Sequence, residues 1–186
     1  MLPKFFLMVL LTAATSTLSA QAENFRAFEW DVLQLGFASP IGQGYVGGLS
    51  LGTEVRYNVS DRISAGLNFE IGSFGSDVEN EMVDVGLSAS YTVTGDYYFV
   101  DDRAVRPFAG FGVGLYGGGT ITIDTDTGME PEPTDAFAGR SFGISPRIGV
   151  EYGHLRLALE YNLAFGDKVP SYIGFTIAPT LWGGLK

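Results

Sequence analysis

The chain has 186 residues, among them 26 Gly, one His, no Cys, 21 acidic and 11 basic residues. Its 46% hydrophobic content excludes a disordered acidic tail, and a net charge of −10 excludes a surface built for nucleic-acid phosphates. Without cysteine there is no disulfide framework, no cysteine zinc site and no lipid-modified cysteine.

Residues 1–22 read as a secretory signal peptide. Lys4 provides the positive start, Phe5 to Leu11 the apolar middle, and Ala20-Gln21-Ala22 an A-x-A cleavage site. Removal of this segment leaves residues 23–186 as one domain and takes the formal charge to −11. Nothing beyond it approaches the ~18 consecutive apolar residues of a spanning helix.

From residue 28 onward apolar and polar residues alternate with period two, the signature of strands. The predicted strands are 28–38, 45–59, 63–72, 82–93, 105–116, 141–152, 155–165 and 172–182, eight in all. Tight turns at Ser60-Asp61-Arg62 and Gly153-His154, and a moderate link through Asp101-Asp102-Arg103, fall on one rim. Longer links, residues 39–44, 73–81, 117–140 and 166–171, fall on the other. An eight-stranded antiparallel up-and-down barrel follows from this meander.

Which face is outside decides the class. The apolar face of the clear strands carries no charge, with Thr53 almost its only polar member. The other face collects glycines (48, 52, 66, 72, 86, 110, 112, 114, 143 and 149), as a narrow interior requires. It also carries Arg56, Arg106, Arg147 and Arg156 against Glu54, Glu70, Asp84, Glu151 and Glu160, close to neutral. Buried charges are costly unless paired, so this set is expected to interlock as a lumen plug, with lipid outside. A lipocalin-like soluble carrier, apolar inside, is the rival reading. Aromatic girdles are expected at Trp30, Tyr57, Tyr97, Tyr98, Tyr152 and Trp182 on the short-turn rim. On the long-loop rim they fall at Phe37, Tyr45, Tyr116, Phe142, Phe165 and Tyr172. Pro107, Pro146 and Pro179, which lack a ladder donor, are expected near rims or bulges.

The signal peptide, the eight alternating strands and the stretch Pro107-Phe108-Ala109-Gly110-Phe111-Gly112-Val113-Gly114 resemble the small outer-membrane β-barrel family of Gram-negative bacteria, the OmpA/OmpX-type and "porin family" barrels. The Gly183-Gly184-Leu185-Lys186 ending resembles barrels of the Bacteroidetes type and departs from the terminal aromatic that assembly machinery reads. The resemblance implies a monomer in the outer membrane, in contact with lipid and lipopolysaccharide, inserted by the outer-membrane assembly machinery. It implies no cofactor.

Other chemistry is thin. Gly112-Val113-Gly114-Leu115-Tyr116-Gly117 fits G-x-G-x-x-G formally, but no βαβ unit follows. Asp124-Thr125-Asp126-Thr127-Gly128 lacks the closing Glu of a calcium loop, so no metal site is assigned. Asn58-Val59-Ser60, a formal glycosylation acceptor, falls at a tight turn. His154 sits in a turn on the rim opposite the outer leaflet, which disfavours a histidine-based enzyme; no catalytic residue is assigned. The expected role is envelope structure or surface interaction through the extracellular loops. The alternatives are a narrow porin-like channel and a lipid-modifying outer-membrane enzyme.

Overall fold

The computed structural model describes residues 22–41, 45–76, 82–101, 104–124, 139–166 and 170–184; the side chains at 45, 76, 82–84, 120–124 and 139 lie outside the description. All but Ala22 of the expected signal peptide 1–22, and the acidic stretch 125–138, therefore fall outside it, as do the side chains of Tyr45 and Asp84.

Alternating side chains cannot bury both faces of a lone strand, so each pairs with its chain neighbours. The strands are β1 (Phe28–Pro40), β2 (Tyr45–Val46), β3 (Gly48–Ser60), β4 (Ile63–Ser76), β5 (Met82–Tyr98), β6 (Val105–Asp124), β7 (Gly139–Tyr152), β8 (Leu155–Ala164) and β9 (Tyr172–Trp182). The two-residue β2 and β3 form one stave of the wall, interrupted at Gly47. All pairings are antiparallel, and β1 closes the ring by pairing with both β3 and β9. The result is an eight-stranded closed antiparallel β-barrel without a free edge.

The wall is lopsided. At ~3.3 Å per residue and ~45° tilt, β8 and β9 rise about 21–23 Å along the barrel axis, whereas β6 rises about 45 Å. β5 and β6 stay paired from Tyr98↔Phe108 up to Met82↔Asp124. Two expectations are thereby corrected. Residues 117–124 and 139–140 belong to strands, because main-chain pairing continues through Gly117-Gly118-Gly119 where side-chain alternation stops. The fourth strand likewise runs past Gly72 to Ser76, and the fifth past Val93 to Tyr98.

The prolines are accommodated as strand chemistry demands. Pro107 and Pro179 lie near the short-turn rim, opposite Val150 and Leu155. Pro146 is mid-wall, not at a rim; the β7–β8 ladder skips Ser145 and Pro146 and resumes in register at Arg147↔Glu160. Gly153, with φ 59°, supplies the left-handed residue of the β7–β8 turn.

Candidate functional site

Among the described residues, chemistry-bearing side chains converge in the lumen. Glu54, Arg56, Glu70, Arg106, Arg147, Glu151, Arg156 and Glu160 all point inward and are buried. Three more carboxylates join them: Glu29, Asp31 and Asp96. Asp84 belongs to the expected set, but its side chain is outside the description.

Near the short-turn mouth, the Arg106 guanidinium lies 3.6 Å from the Phe25 ring centroid and 4.1 Å from that of Tyr98. It donates to Glu29 Oε1 at 3.1 Å and to Glu151 Oε2 at 2.5 Å. One level further in, Arg56 is paired with Asp31, with Glu29 at 3.0 Å and with Glu151 at 3.1 Å. Arg156 meets Glu151 at 2.5 Å and Asp96 at 2.7 Å while its guanidinium covers the Phe108 ring at 3.8 Å. Mid-barrel, Arg147 spans Asp96 and Glu54, each at 2.7 Å, and reaches Glu160 at 3.5 Å. Each guanidinium thus bridges carboxylates carried on different strands, which ties opposite walls together.

The long-loop half of the lumen is different. Glu70 accepts a hydrogen bond from the Tyr172 hydroxyl at 2.6 Å, and Asn162 Oδ1 accepts one from Tyr116 at 3.0 Å. Phe74 packs beside Tyr172 with ring centroids 5.5 Å apart. Tyrosine and serine hydroxyls replace arginines here. The near-neutrality expected of the interior does not hold among the described residues, where seven buried carboxylates face four arginines.

The mouth at the short-turn rim is stoppered by residues 24–26 and by Gly183 and Gly184. Asp61 accepts from the Asn24 and Phe25 amides at 3.0 and 3.3 Å, and Asn58 Nδ2 donates to the Arg26 carbonyl at 2.7 Å. These bonds hold Phe25 in the opening, 2% exposed. From the other side Gly183 and Gly184, both with positive φ, fold under Glu29, and the Gly184 amide donates to Glu29 Oε1 at 3.3 Å. A side chain at Gly183 would run into Glu29, so these two glycines are part of the plug. Outside the mouth, Arg62 Nε donates to Asp101 Oδ2 at 2.7 Å. That bond holds the Asp101 carboxyl below the usual carboxylate range and raises Arg62 above its ordinary value. His154 stays exposed in its turn, its carbonyl accepting from the Thr180 amide at 2.8 Å.

Of the expected girdle, Trp30, Phe37, Tyr97, Phe142, Tyr152, Phe165 and Trp182 project outward. Tyr57 is half-buried against Phe28, ring centroids 5.2 Å apart. Tyr98, Tyr116 and Tyr172 do not belong to it. Each occupies an even, inward position of its strand and is buried in the lumen, its hydroxyl bonded to Glu151, Asn162 and Glu70 respectively. Thr53, the polar residue of the outer face, hides its hydroxyl by donating to the Asp31 carbonyl at 2.9 Å and accepting from Trp30 Nε1 at 3.0 Å.

The outer surface is correspondingly apolar, with Leu49, Leu67, Val93, Ile148, Phe175 and Leu181 among its exposed side chains. A polar, charge-laced interior under an apolar exterior inverts the soluble arrangement and rejects the lipocalin-like reading. No family model and no curated protein matches the sequence. Solved structures do. The attachment invasion locus protein Ail of Yersinia pestis matches over 88% of this chain and 98% of its own, at TM-score 0.50 and 11% identity. Neisserial surface protein A matches over 88% and 99%, at TM-score 0.51 and 17% identity. The outer membrane protein OprG of Pseudomonas aeruginosa matches over 89% and 97%, at TM-score 0.51 and 11% identity. Its fold is that of the small eight-stranded outer-membrane β-barrels. Both described ends of the chain lie at the short-turn rim, and the β5–β6 ladder rises furthest at the opposite one.

Proposed function

We propose that this outer-membrane barrel serves the envelope as a structural element and a surface for interaction, with a lumen that neither conducts nor catalyses. The observation that carries the reading is the Arg56–Arg106–Arg147–Arg156 lattice. Each guanidinium is fixed between carboxylates of facing strands, and Phe25 closes the opening below. An eight-stranded lumen has room for side chains and little else. The buried arginines and most of the carboxylates they face are committed to pairing, which leaves the rims as working surfaces. The far ends of the β5–β6 ladder, Met82 and Asp124, stand well past the ~25 Å apolar band. Export through the signal segment and insertion by the assembly machinery belong to the same reading. Two of the similarly folded proteins are named for attachment and invasion and for the cell surface, in keeping with work done by loops.

The test is conductance of the purified protein in planar lipid bilayers. Silence is expected for the natural chain. Discrete, reproducible conductance steps would replace this reading with the narrow porin-like channel.

A further inference from the structure

The lipid-facing wall is not smooth. A groove of about 530 Å³ crosses β4, β5 and β6, lined by Phe69, Ile71, Ala89, Tyr91, Leu115 and Arg140. It shares Phe69, Tyr91 and Leu115 with a second hollow of about 600 Å³ that runs on to Trp30. Its cause is legible in the pairing. One rung of the ladder reads Leu51, Ile71, Ala89, Gly117, Arg140, and the next reads Thr53, Phe69, Tyr91, Leu115, Phe142. Alanine and glycine in the first rung leave a trough beside the large side chains of the second. The trough runs obliquely from the long-loop end of β7 toward the short-turn end of β1.

Arg140 closes the upper end. It faces outward, and among the described side chains at strand positions it is the one exposed charge. Along β7 it stands twelve residues from Tyr152 of the opposite rim, which at ~3.3 Å per residue and ~45° tilt is about 28 Å. That places the guanidinium just beyond an apolar band of ~25 Å, at headgroup height in the extracellular leaflet. A cation there, heading an apolar trough that descends into the bilayer, is complementary to one kind of molecule: a lipid with an acyl chain and a phosphate on its headgroup.

We propose that this groove docks a phosphate-bearing lipid of the outer leaflet, one acyl chain in the trough and the phosphate on Arg140. The inference rests on the outer-membrane reading and adds a site to it. Guanidinium and phosphate match in a bidentate, charge-assisted geometry, and the chain gains the apolar contacts of Phe69, Tyr91 and Leu115.

The experiment is native mass spectrometry of the purified barrel in a neutral detergent, titrated with diphosphorylated lipid A. The same lipid stripped of phosphate, and inorganic phosphate alone, serve as the other probes. One retained lipid A per barrel is expected. Retention should fall about tenfold or more with the dephosphorylated lipid and with Arg140→Gln, the loss of a charged hydrogen bond. Ala89→Phe, which fills the trough and leaves the charge, should reduce it comparably. Retention unchanged in either variant, displacement by inorganic phosphate alone, or a second barrel seated on the groove would overturn the proposal. The two variants probe the head and the floor of the groove, and heat-modifiable migration on gels shows that each has folded. Absence of the protein from outer-membrane fractions would overturn the membrane reading itself. Presence there without lipid A retention overturns this site alone.

Discussion

Arg147 grips Asp96 through two parallel hydrogen bonds, Nε to Oδ1 at 2.7 Å and Nη2 to Oδ2 at 2.8 Å. Both side chains are buried, and Nη2 also donates to Glu54 Oε1 at 2.7 Å. Asp96 in turn holds Arg156. Asp96→Leu therefore leaves two buried guanidinium groups short of a carboxylate, and breaking a buried pair costs about 3–5 kcal/mol. Urea unfolding from lipid vesicles, followed by tryptophan fluorescence, is expected to show a loss of that size. Adding Arg147→Met should recover part of it, because the second change removes a charge the first has stranded. A single-variant cost within about 0.5 kcal/mol, the range of an ordinary surface substitution, contradicts the lattice.

Gly110 stands across the β5–β6 ladder from Asp96. A Cβ there would collide with the Asp96 carboxylate and lie 2.8 Å from the Gly95 carbonyl oxygen. Gly95, its neighbour on the outer face, has only the Ser64 carbonyl oxygen at 3.8 Å. Gly110→Val is thus expected to abolish heat-modifiable folding, while Gly95→Ala leaves it intact. Equal behaviour of the two would mean that the interior is not as crowded as drawn.

How much of this was legible beforehand differs residue by residue. Period-two alternation marks eight staves and assigns Glu54, Arg56, Arg106, Arg147, Glu151 and Arg156 to one face, because a strand offers only two directions for a side chain. Glu29 and Asp31 escape it through a bulge. The β1 register shifts between Asp31 and Gln34, so both of these point inward although their parity differs. Asp96 escapes because Thr94-Gly95 resembles a strand end, whereas pairing carries β5 to Tyr98. Tyr98, Tyr116 and Tyr172 mislead for a different reason. Proximity to a rim suggests a girdle, but parity decides which tyrosine meets lipid, and Tyr97 takes that role beside Tyr98. The stoppering by Phe25 and Gly183-Gly184 has no periodic signature, since it depends on the segments before β1 and after β9 meeting at one mouth.

The orientation of the faces can be tested at Leu67, 66% exposed and four residues from the short-turn end of β4. At ~3.3 Å per residue and ~45° tilt, that sets it about 9 Å into the ~25 Å apolar band. On a soluble surface Leu67→Arg is nearly neutral, within about 0.5 kcal/mol. At the middle of a bilayer the same change costs about 2–4 kcal/mol. Vesicle unfolding should report the larger figure. A neutral outcome would put water, not acyl chains, against this side of the sheet.

The Arg62–Asp101 bond joins the β3–β4 turn to the segment after β5, outside the spanning wall. Asp101 is held below the usual carboxylate range chiefly by the hydrogen bond from Arg62, so folding favours its ionised form. The sign follows from linkage. A carboxyl whose folded pKa is depressed contributes stability above its unfolded value, and that contribution disappears as pH falls through the folded pKa. Both side chains are exposed, so the effect on global stability is small and screened by salt. The local readout is sharper. Nuclear magnetic resonance titration of the Asp101 carboxyl should give a midpoint below that of an ordinary aspartate. Arg62→Gln should return it to the ordinary range without disturbing the buried lattice. An Asp101 midpoint that Arg62→Gln leaves in place would mean the two turns are not tied together at this rim.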